Sequence, residues 1–318
     1  MWKYVAVFLL ILTIYNCKKQ EQFKVDTSHI DVQVNVARFD VDFYSTTAAT
    51  LAKTKKNYPL LFPHDNDSVW INKINNKGEQ ELFAETQKVF GDFSAEKKQL
   101  KQLFQHIKYY NPKFQAPQVI TLLTDIDYDN RITYNFDFLL ISLDCYLGTQ
   151  HDFYSDYPAY IKQNNNKEHL IVDVAKTIID AQMPPNENRD FIHKMIYEGK
   201  KMYLLDVFLP EISDREKIGY AQEKYDWAVN SEEEIWKYFI ERDLLYSTDL
   251  KLNQRFLDVA PFSKFYLGED NLSPGRIGVW LGWQIVRAYM ENNDVSLQEL
   301  LRAKEDEIFK KSNYKPRR

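Results

Sequence analysis

Hydrophobic residues follow two different periods along this chain, and the change between them limits the fold. In the first half, apolar and polar residues alternate over 30–36 and again over 39–43, which predicts a strand with a bulge or bend. From about Tyr154 onward apolar residues recur at helical spacing, as over 170–179 and 190–209. The sequence therefore predicts an α+β protein, with a small N-terminal sheet and helices followed by a mostly helical C-terminal half.

Further periodic segments fill in the first half of this outline. Helical spacing predicts helices over 82–90 and 94–110. Strand spacing predicts a strand over 118–123 and more strands from residue 132, so that residues 124–131 are interpreted as a hairpin connection.

In the second half, local signals mark where helices begin. A serine followed three residues later by a glutamate forms a capping box, in which each residue can satisfy a backbone N–H group at the helix start. Three such pairs occur: Ser213 with Glu216, Ser231 with Glu234, and Ser296 with Glu299. Pro274 precedes one more apolar helix, predicted over 277–290.

The first 17 residues predict export and a lipid anchor. Lys3 precedes an apolar run over 4–15. As a helix this run reaches roughly 18 Å, too short for a bilayer core of about 30 Å, so it fits a signal peptide. Cys17 is followed by polar residues and resembles a lipobox cysteine, which takes a diacylglycerol on its thiol and further acyl chains such as palmitate. Because Tyr15 and Asn16 are not small, a plain signal peptide or an uncleaved anchor remains open.

These features divide the chain into three segments. We predict a lipoprotein signal peptide over 1–16, a tether over 17–28 and a single α+β domain over 29–318. Such a chain would be attached to a membrane through Cys17, with its body on the extracytoplasmic side. Whether the lipid lies in the inner or the outer membrane stays open.

Charge and composition exclude several classes of function. The chain has 46 acidic and 41 basic residues and a net charge of -5, which disfavours nucleic acid as a partner. Nine glycines in 318 residues leave little material for phosphate-binding loops or dinucleotide fingerprints. Two cysteines cannot form a zinc cluster, and Cys145 is predicted to be a buried core residue rather than a nucleophile.

No single motif predicts catalysis. The acidic stretch over 125–130 imitates a calcium loop but lacks its glycine and its final glutamate, so we interpret it as a solvated turn. His169 with Asp173, and His193 with Glu198, approach the spacing of metal ligands. A surface pairing between histidine and carboxylate accounts for both without a metal. Paired carboxylates elsewhere stay possible, because sequence does not show which of them converge.

Three of the nine glycines cluster near the start of the predicted helix over 277–290. Gly275, Gly278 and Gly282 lie beside Trp280 and Trp283. Small residues there let another backbone approach closely, which indicates a tightly packed core helix. The alternative is a partner-binding helix with aromatic anchors, whose candidate residues are Arg276, Trp280 and Trp283.

Several short motifs acquire meaning as a set. They are the lipobox at Cys17, residues 141–148 (ISLDCYLG), the Glu168-His169 pair, residues 197–199 (YEG), residues 274–278 (PGRIG) and residues 280–283 (WLGW). Together they resemble the GldB family of gliding-motility lipoproteins of Bacteroidota, from Cys17 over nearly the whole chain. The resemblance implies a cell-envelope lipoprotein needed for gliding motility, with other envelope proteins of the gliding apparatus as partners.

The same set is distantly similar to zincin-type peptidases, which bind zinc through a His-Glu-x-x-His helix and a later Glu-Gly helix. Glu198-Gly199 would match the later helix, but residues 171–179, where the zinc helix would fall, contain neither histidine nor glutamate. Lysine is a poor substitute for a zinc ligand because it must first lose a proton. The resemblance thus implies a zincin-like scaffold without metal or cofactor, a pseudoenzyme. Its relic cleft would contain Asp173, Lys176, Thr177 and Glu198.

The sequence therefore predicts an envelope-anchored, non-catalytic lipoprotein of gliding motility that binds another envelope protein or a peptide. Two alternatives stay open. One is a metal-dependent, peptidase-like hydrolase with an unrecognised site. The other is a glycan- or peptide-binding lipoprotein, suggested by the 20 Phe, 21 Tyr and 6 Trp residues, since exposed aromatic rings can stack on sugars.

Overall fold

A computed structural model describes residues 23–63 and 66–317. They form two compact units. The sheet unit is Thr27–Ala181, and the helical unit comprises residues 182–317 together with residues 23–26. Whether the two units make up the single domain predicted over 29–318 stays a prediction. The predicted signal peptide, Cys17 and the first part of the tether lie outside the described residues.

The sheet unit combines a small mixed sheet with helices. The strands are β1 (Val36–Arg38), β2 (Gln118–Leu122), β3 (Ile132–Tyr134) and β4 (Phe138–Ser142). The helices are α1 (Phe39–Tyr44), α2 (Leu51–Asn57), α3 (Asp67–Ile74), α4 (Lys77–Phe90), α5 (Ser94–Tyr110), α6 (Ala159–Lys162) and α7 (Leu170–Gln182).

Three neighbouring strands of this sheet run parallel. The strand order is β1-β2-β4-β3, with β1 parallel to β2 and β2 parallel to β4, while β3 is antiparallel to β4. Val119 of β2 pairs with Val36 on one side and Leu139 on the other, and both Val119 and Leu139 are fully buried. The carboxyl ends of β1, β2 and β4 therefore meet at one edge of the sheet, where open α/β sheets usually bind ligands.

The helical unit contains no strand within its described residues. Its helices are α8 (Phe191–Phe208), α9 (Asp214–Ile218), α10 (Gln222–Asn230), α11 (Glu232–Glu241), α12 (Lys251–Phe256), α13 (Ile277–Asn292), α14 (Leu297–Arg302) and α15 (Glu305–Ser312). A mixed α and β chain, with its small sheet in the N-terminal half and helices after it, confirms the predicted α+β class.

Three predictions for the sheet were wrong. The strand predicted over 30–36 is present only at its last residue, because β1 is Val36–Arg38 and residues 30–35 form no strand. Residues 39–43 form helix α1 rather than a second stretch of strand. Phe39 and Phe43 are both buried, and their separation of four residues places them on one helical face. Residues 124–131 are not a hairpin connection, because β2 pairs with β4 and not with β3. The hairpin joins β3 to β4 through Asn135, whose N–H donates to the Phe138 carbonyl at 3.1 Å.

Helices are present at all the predicted segments, although α4 begins at Lys77 and not at residue 82. Helices also begin at the three predicted serines, but only one of the three predicted capping boxes forms. Ser296 and Glu299 form a complete capping box at α14. Ser213 caps α9 by accepting from the Glu216 N–H at 3.2 Å. Ser231 occupies the N-cap position of α11 without a side-chain cap hydrogen bond.

The core of the helical unit depends on the close approach of α8 and α13. A Cβ atom at Gly282 would lie 1.8 Å from the Met195 carbonyl oxygen, and one at Gly199 would lie 2.2 Å from the Gly282 carbonyl oxygen. Only glycine at both positions permits this backbone contact. Phe23, within the predicted tether, is also buried and packs against Tyr203 with ring centroids 5.5 Å apart.

From residue 23 to 317, with 64 and 65 left aside, no helix has the length and apolar character needed to cross a bilayer.

Candidate binding pocket

A pocket of about 250 Å³ opens on the sheet unit between a loop and helix α7. The loop that follows β2 contributes Tyr128, Asp129 and Arg131, the first residue of β3 contributes Ile132, and α7 contributes Asp173, Lys176 and Thr177. The three α7 residues share one face because they are spaced at i, i+3 and i+4. We call this site the Asp173 pocket.

Asp173 is the anionic centre of the pocket and is buried. One carboxylate oxygen lies 3.1 Å from Arg131 Nε and accepts a hydrogen bond from the Tyr146 hydroxyl at 3.0 Å. The other oxygen lies 3.3 Å from His169 Nε2. Burial alone would raise the pKa of Asp173, but His169, Arg131 and Lys176 outweigh it and hold this pKa well below its usual range. Asp173 is therefore a fixed anion at neutral pH.

Arg131 is held rigidly beside Asp173. Its side chain is 15% exposed, and the guanidinium carbon lies 4.4 Å from the centroid of the Tyr128 ring and 6.0 Å from that of Tyr146. Burial acts to lower the pKa of Arg131, but Asp173 more than offsets this and the pKa is raised. Arg131 Nη1 is buried and has no hydrogen-bond partner among the described residues.

The loop that carries Tyr128 and Arg131 is held in place by hydrogen bonds to Asp144. This carboxylate, just after β4, accepts hydrogen bonds from the N–H groups of Thr124 at 3.1 Å and Ile126 at 2.7 Å. Asp125 and Ile126 both have φ of 59°, a strained conformation for a β-branched residue such as Ile126. The Tyr157 hydroxyl also donates to the Ile126 carbonyl at 2.7 Å. These bonds hold the loop in one conformation.

Burial makes Asp144 a weaker acid than an ordinary aspartic acid. Desolvation raises its pKa to about 6, even though the backbone N–H groups of Ile126 and Thr124 act to lower it. The loop is therefore held by a carboxylate that gains a proton in mildly acidic solution.

The remaining polar groups of the pocket lie on α7. The Thr177 hydroxyl donates to the Asp173 carbonyl at 2.9 Å, and Lys176 is half-buried beside it. Two cations, Arg131 and Lys176, and two carboxylates, Asp129 and Asp173, thus line the pocket.

A second pocket of about 140 Å³ on the sheet unit is mostly apolar. Its one carboxylate, Asp40, is completely buried. Asp40 already accepts hydrogen bonds from Arg38, Gln87 and Thr121. Because these donors occupy the carboxylate, Asp40 has a structural role.

Three of the four residues of the predicted relic cleft, Asp173, Lys176 and Thr177, come together in the Asp173 pocket. The fourth, Glu198, belongs to the helical unit, where its carboxylate lies 3.2 Å from Lys201. His169 does pair with Asp173, but both residues are buried, so the predicted surface location of this pair was wrong. His193 pairs with Asp190 at 3.2 Å instead of with Glu198.

The candidate binding helix corresponds to the first turns of α13. Trp280 and Trp283 are completely buried, and Trp283 Nε1 donates to Asp206 at 2.8 Å. Neither indole ring is exposed to a partner. Arg276 is half-buried at the N-cap with φ of 59°. The structure thus shows these residues in the tightly packed core helix described above.

Sequence reasoning did not single out Arg131, Tyr146 or Asp144 as site residues. Asp144 and Tyr146 fall within the motif over 141–148, so the resemblance contained the signal without assigning a role. Cys145, in the same motif, is buried as predicted. Burial raises the pKa of its thiol above the ordinary range, which makes it a poor nucleophile.

The acidic loop over 125–130 forms a turn. Asp127 accepts hydrogen bonds from the N–H groups of Asp129 and Asn130 and from the Asn130 side chain, the pattern of an Asx turn. Within the described part of the chain, no three His, Cys, Asp or Glu side chains are grouped as metal ligands.

The fold and the pocket define an α+β protein with a pre-arranged polar pocket on a small mixed sheet. A family model described as gliding motility protein GldB matches residues 20–316, so the chain belongs to the GldB lipoprotein family. Membership gives the chain a role in gliding motility and suggests association with the cell envelope. Neither the curated proteins nor the solved structures compared with the chain gave a match. The similarity to zincins stays a prediction.

Proposed function

We propose that this chain is a non-catalytic component of gliding motility, anchored in the envelope through a lipid on Cys17. It would act by binding another envelope protein, or a peptide segment of one, at the Asp173 pocket. The observation that carries the proposal is the pocket itself, because its polar groups are fixed in place before any ligand arrives. Such pre-organisation favours binding by reducing the entropy that association costs.

The groups in the pocket are poorly suited to acid–base or nucleophilic chemistry. A general base works best with a pKa near the working pH, whereas the pKa of Asp173 is held far below neutrality by its cationic neighbours. The pKa of the Tyr146 hydroxyl is raised well above its usual value by burial and by Asp173. The Thr177 hydroxyl donates to a backbone carbonyl rather than to a base. These features support a role in recognition.

Photo-crosslinking in living cells tests the proposal. The photoreactive residue p-benzoyl-phenylalanine is placed at position 129, an exposed residue of the pocket lining, and as a control at position 98, an exposed lysine of the sheet unit. We expect a discrete crosslinked envelope protein from position 129 that is absent from position 98. Identical crosslinks from both positions, or none from 129, would contradict the proposal.

Gliding itself provides a second measurement. Lys176→Glu reverses a charge inside the pocket, while Lys98→Glu makes the same change on an exposed surface. We expect slower spreading of colonies on agar for the first variant and normal spreading for the second, at equal protein levels.

A further inference from the structure

Arg131 has a binding capacity that the folded chain leaves unused. Its Nε is engaged by Asp173, but Nη1 is a buried donor without a partner in the described structure. Leaving a charged donor buried and unsatisfied costs free energy. The guanidinium group as a whole lines the pocket and its side chain is 15% exposed, so a ligand acceptor beside it would compensate a charge that the folded chain pairs through Nε.

We propose that the Asp173 pocket binds a carboxylate group of a peptide, placed between the Arg131 guanidinium group and the Lys176 ammonium group. Arg131 and Lys176 line the pocket from two different elements, one from the loop and one from α7. The carboxylate can come from the C-terminus of a chain or from an Asp or Glu side chain. This inference rests on the proposed function and adds the chemistry that the pocket recognises.

The charge of the pocket favours a carboxylate over a more highly charged group. Asp173 forms an ion pair with Arg131 and remains ionised, so its negative charge and that of Asp129 are both in the pocket lining, balanced by the charges of Arg131 and Lys176. A singly charged anion between two cations is compatible with this arrangement, whereas a doubly charged phosphate would be repelled more strongly by the two carboxylates.

The volume of the pocket and the rigidity of Arg131 also favour a small carboxylate group as the ligand. A volume of about 250 Å³ is below the range of roughly 300–1,000 Å³ typical of pockets for drug-sized ligands, so it suits one side chain or one chain end. Arg131 is stacked near Tyr128, on a loop fixed by Asp144. Its donors are therefore pre-oriented, and little side-chain entropy is lost on binding.

The test uses the full chain in detergent and two matched pairs of peptides. One pair is N-acetyl-Gly-Ala-Ala with a free or an amidated C-terminus, and the other is N-acetyl-Gly-Ala-Glu-amide against N-acetyl-Gly-Ala-Gln-amide. Binding is measured by ligand-observed NMR titration. We expect at least one carboxylate peptide to bind at least tenfold more tightly than its amide, the difference expected for a hydrogen bond to a charged group. The pair that shows the difference identifies the source of the carboxylate.

Variants locate this binding. Lys176→Met should lower the affinity for the carboxylate peptide about tenfold, whereas Lys108→Met should leave this affinity unchanged. Lys108 is also half-buried in the sheet unit, but it donates to the Asp31 carbonyl and does not line the pocket. Arg131→Lys keeps the charge and should still lose affinity, because an ammonium group cannot reproduce the positions of both guanidinium donors. Thermal unfolding confirms that each variant is folded.

Equal binding of acids and amides, or equal affinity in the Lys176 and Lys108 variants, would overturn the carboxylate inference. If crosslinks from position 129 still form in that case, the proposed function stands and only the ligand class is wrong. If carboxylate peptides bind as expected but position 129 gives no crosslink in cells, the proposed function fails while the chemistry of the pocket holds.

Discussion

The ion pair of Asp173 with Arg131 shows how a single buried charge organises the site. Asp173 interacts with three side chains from three parts of the sheet unit: Arg131 before β3, Tyr146 after β4 and His169 before α7. Together these groups hold the Asp173 carboxylate in place within the pocket. Removing the carboxylate charge therefore affects stability and binding together.

Asp173→Asn should destabilise the chain by about 3–5 kcal/mol, because breaking a buried ion pair leaves Arg131 buried without a counter-charge. The matched control is Asp129→Asn, an exposed carboxyl group in the lining of the same pocket, which should change stability by less than about 0.5 kcal/mol. Urea unfolding measures both. Similar losses in the two variants would show that Asp173 is not the structural centre described above.

The buried carboxyl group of Asp144 predicts a pH dependence of the opposite sign from that of an ordinary ion-paired acid. Because its folded pKa of about 6 exceeds the usual 3.8, the folded chain binds more protons than the unfolded chain between these values. Its contribution to stability is therefore full below about pH 4 and is lost as the pH rises through 6, by roughly 3 kcal/mol at about 1.4 kcal/mol per pKa unit.

Asp144→Asn removes this titration. The free energy of unfolding of the variant should rise relative to that of the unaltered chain as the pH rises from 4 to 7, by up to about 3 kcal/mol. Urea unfolding across that pH range measures the difference. If the stabilities of the two proteins change in parallel with pH, Asp144 does not titrate in this window. The neutral amide oxygen of Asn can still accept from the Thr124 and Ile126 N–H groups, so the loop keeps its hydrogen bonds.

Among the elements of the fold, long helices could be predicted from sequence, whereas strand pairing could not. Helix α5 begins and ends where periodicity predicts because its buried residues recur at helical spacing over 17 residues. In contrast, α1 is only six residues long, and its apolar residues fit either a strand or a helix. The pairing of β2 with β4 depends on contacts between distant residues, which alternation alone does not contain.

The same reasoning explains which parts of the pocket were predicted. Asp173, Lys176 and Thr177 lie on one helix, so their spacing alone places them on a common face. Arg131 and Tyr146 reach Asp173 only because the chain folds back through β3 and β4. No local pattern reports such a contact.

The contact between α8 and α13 gives a prediction for a whole element. Gly282→Ala would place a methyl group 1.8 Å from the Met195 carbonyl oxygen, so the helices must separate. Overpacking a core typically costs about 1–3 kcal/mol of stability. Because the clash here is with backbone atoms, which cannot move aside as a side chain can, we expect the free energy of unfolding to fall by more than about 3 kcal/mol. Gly268→Ala is the control, because nothing lies within 4 Å of the added carbon, and its effect should stay below about 1 kcal/mol. Equal unfolding midpoints in urea would mean that α8 and α13 are not in backbone contact.

On the scale of the whole molecule, family membership and the pocket describe different parts of the same role. The GldB family match covers residues 20–316, so it includes both units but begins after Cys17. The predicted attachment to the membrane therefore rests on the sequence of the first 17 residues, and the proposed recognition of a partner rests on the folded body. These two properties can be tested separately.

The two cysteines of the chain allow membrane attachment to be tested separately, because Cys17 is predicted to carry the lipid and Cys145 is not. If Cys17 carries the lipid, Cys17→Ala should abolish incorporation of a clickable palmitate analogue and should shift the chain out of the membrane fraction. Cys145→Ala removes a buried thiol that no acyl transfer can reach in the folded chain, so its labelling should equal that of the unaltered protein. Equal labelling of the Cys17 variant would overturn the lipid anchor. If the anchor only holds the pocket near its partner, the Cys17 variant should lose gliding while still binding carboxylate peptides in solution.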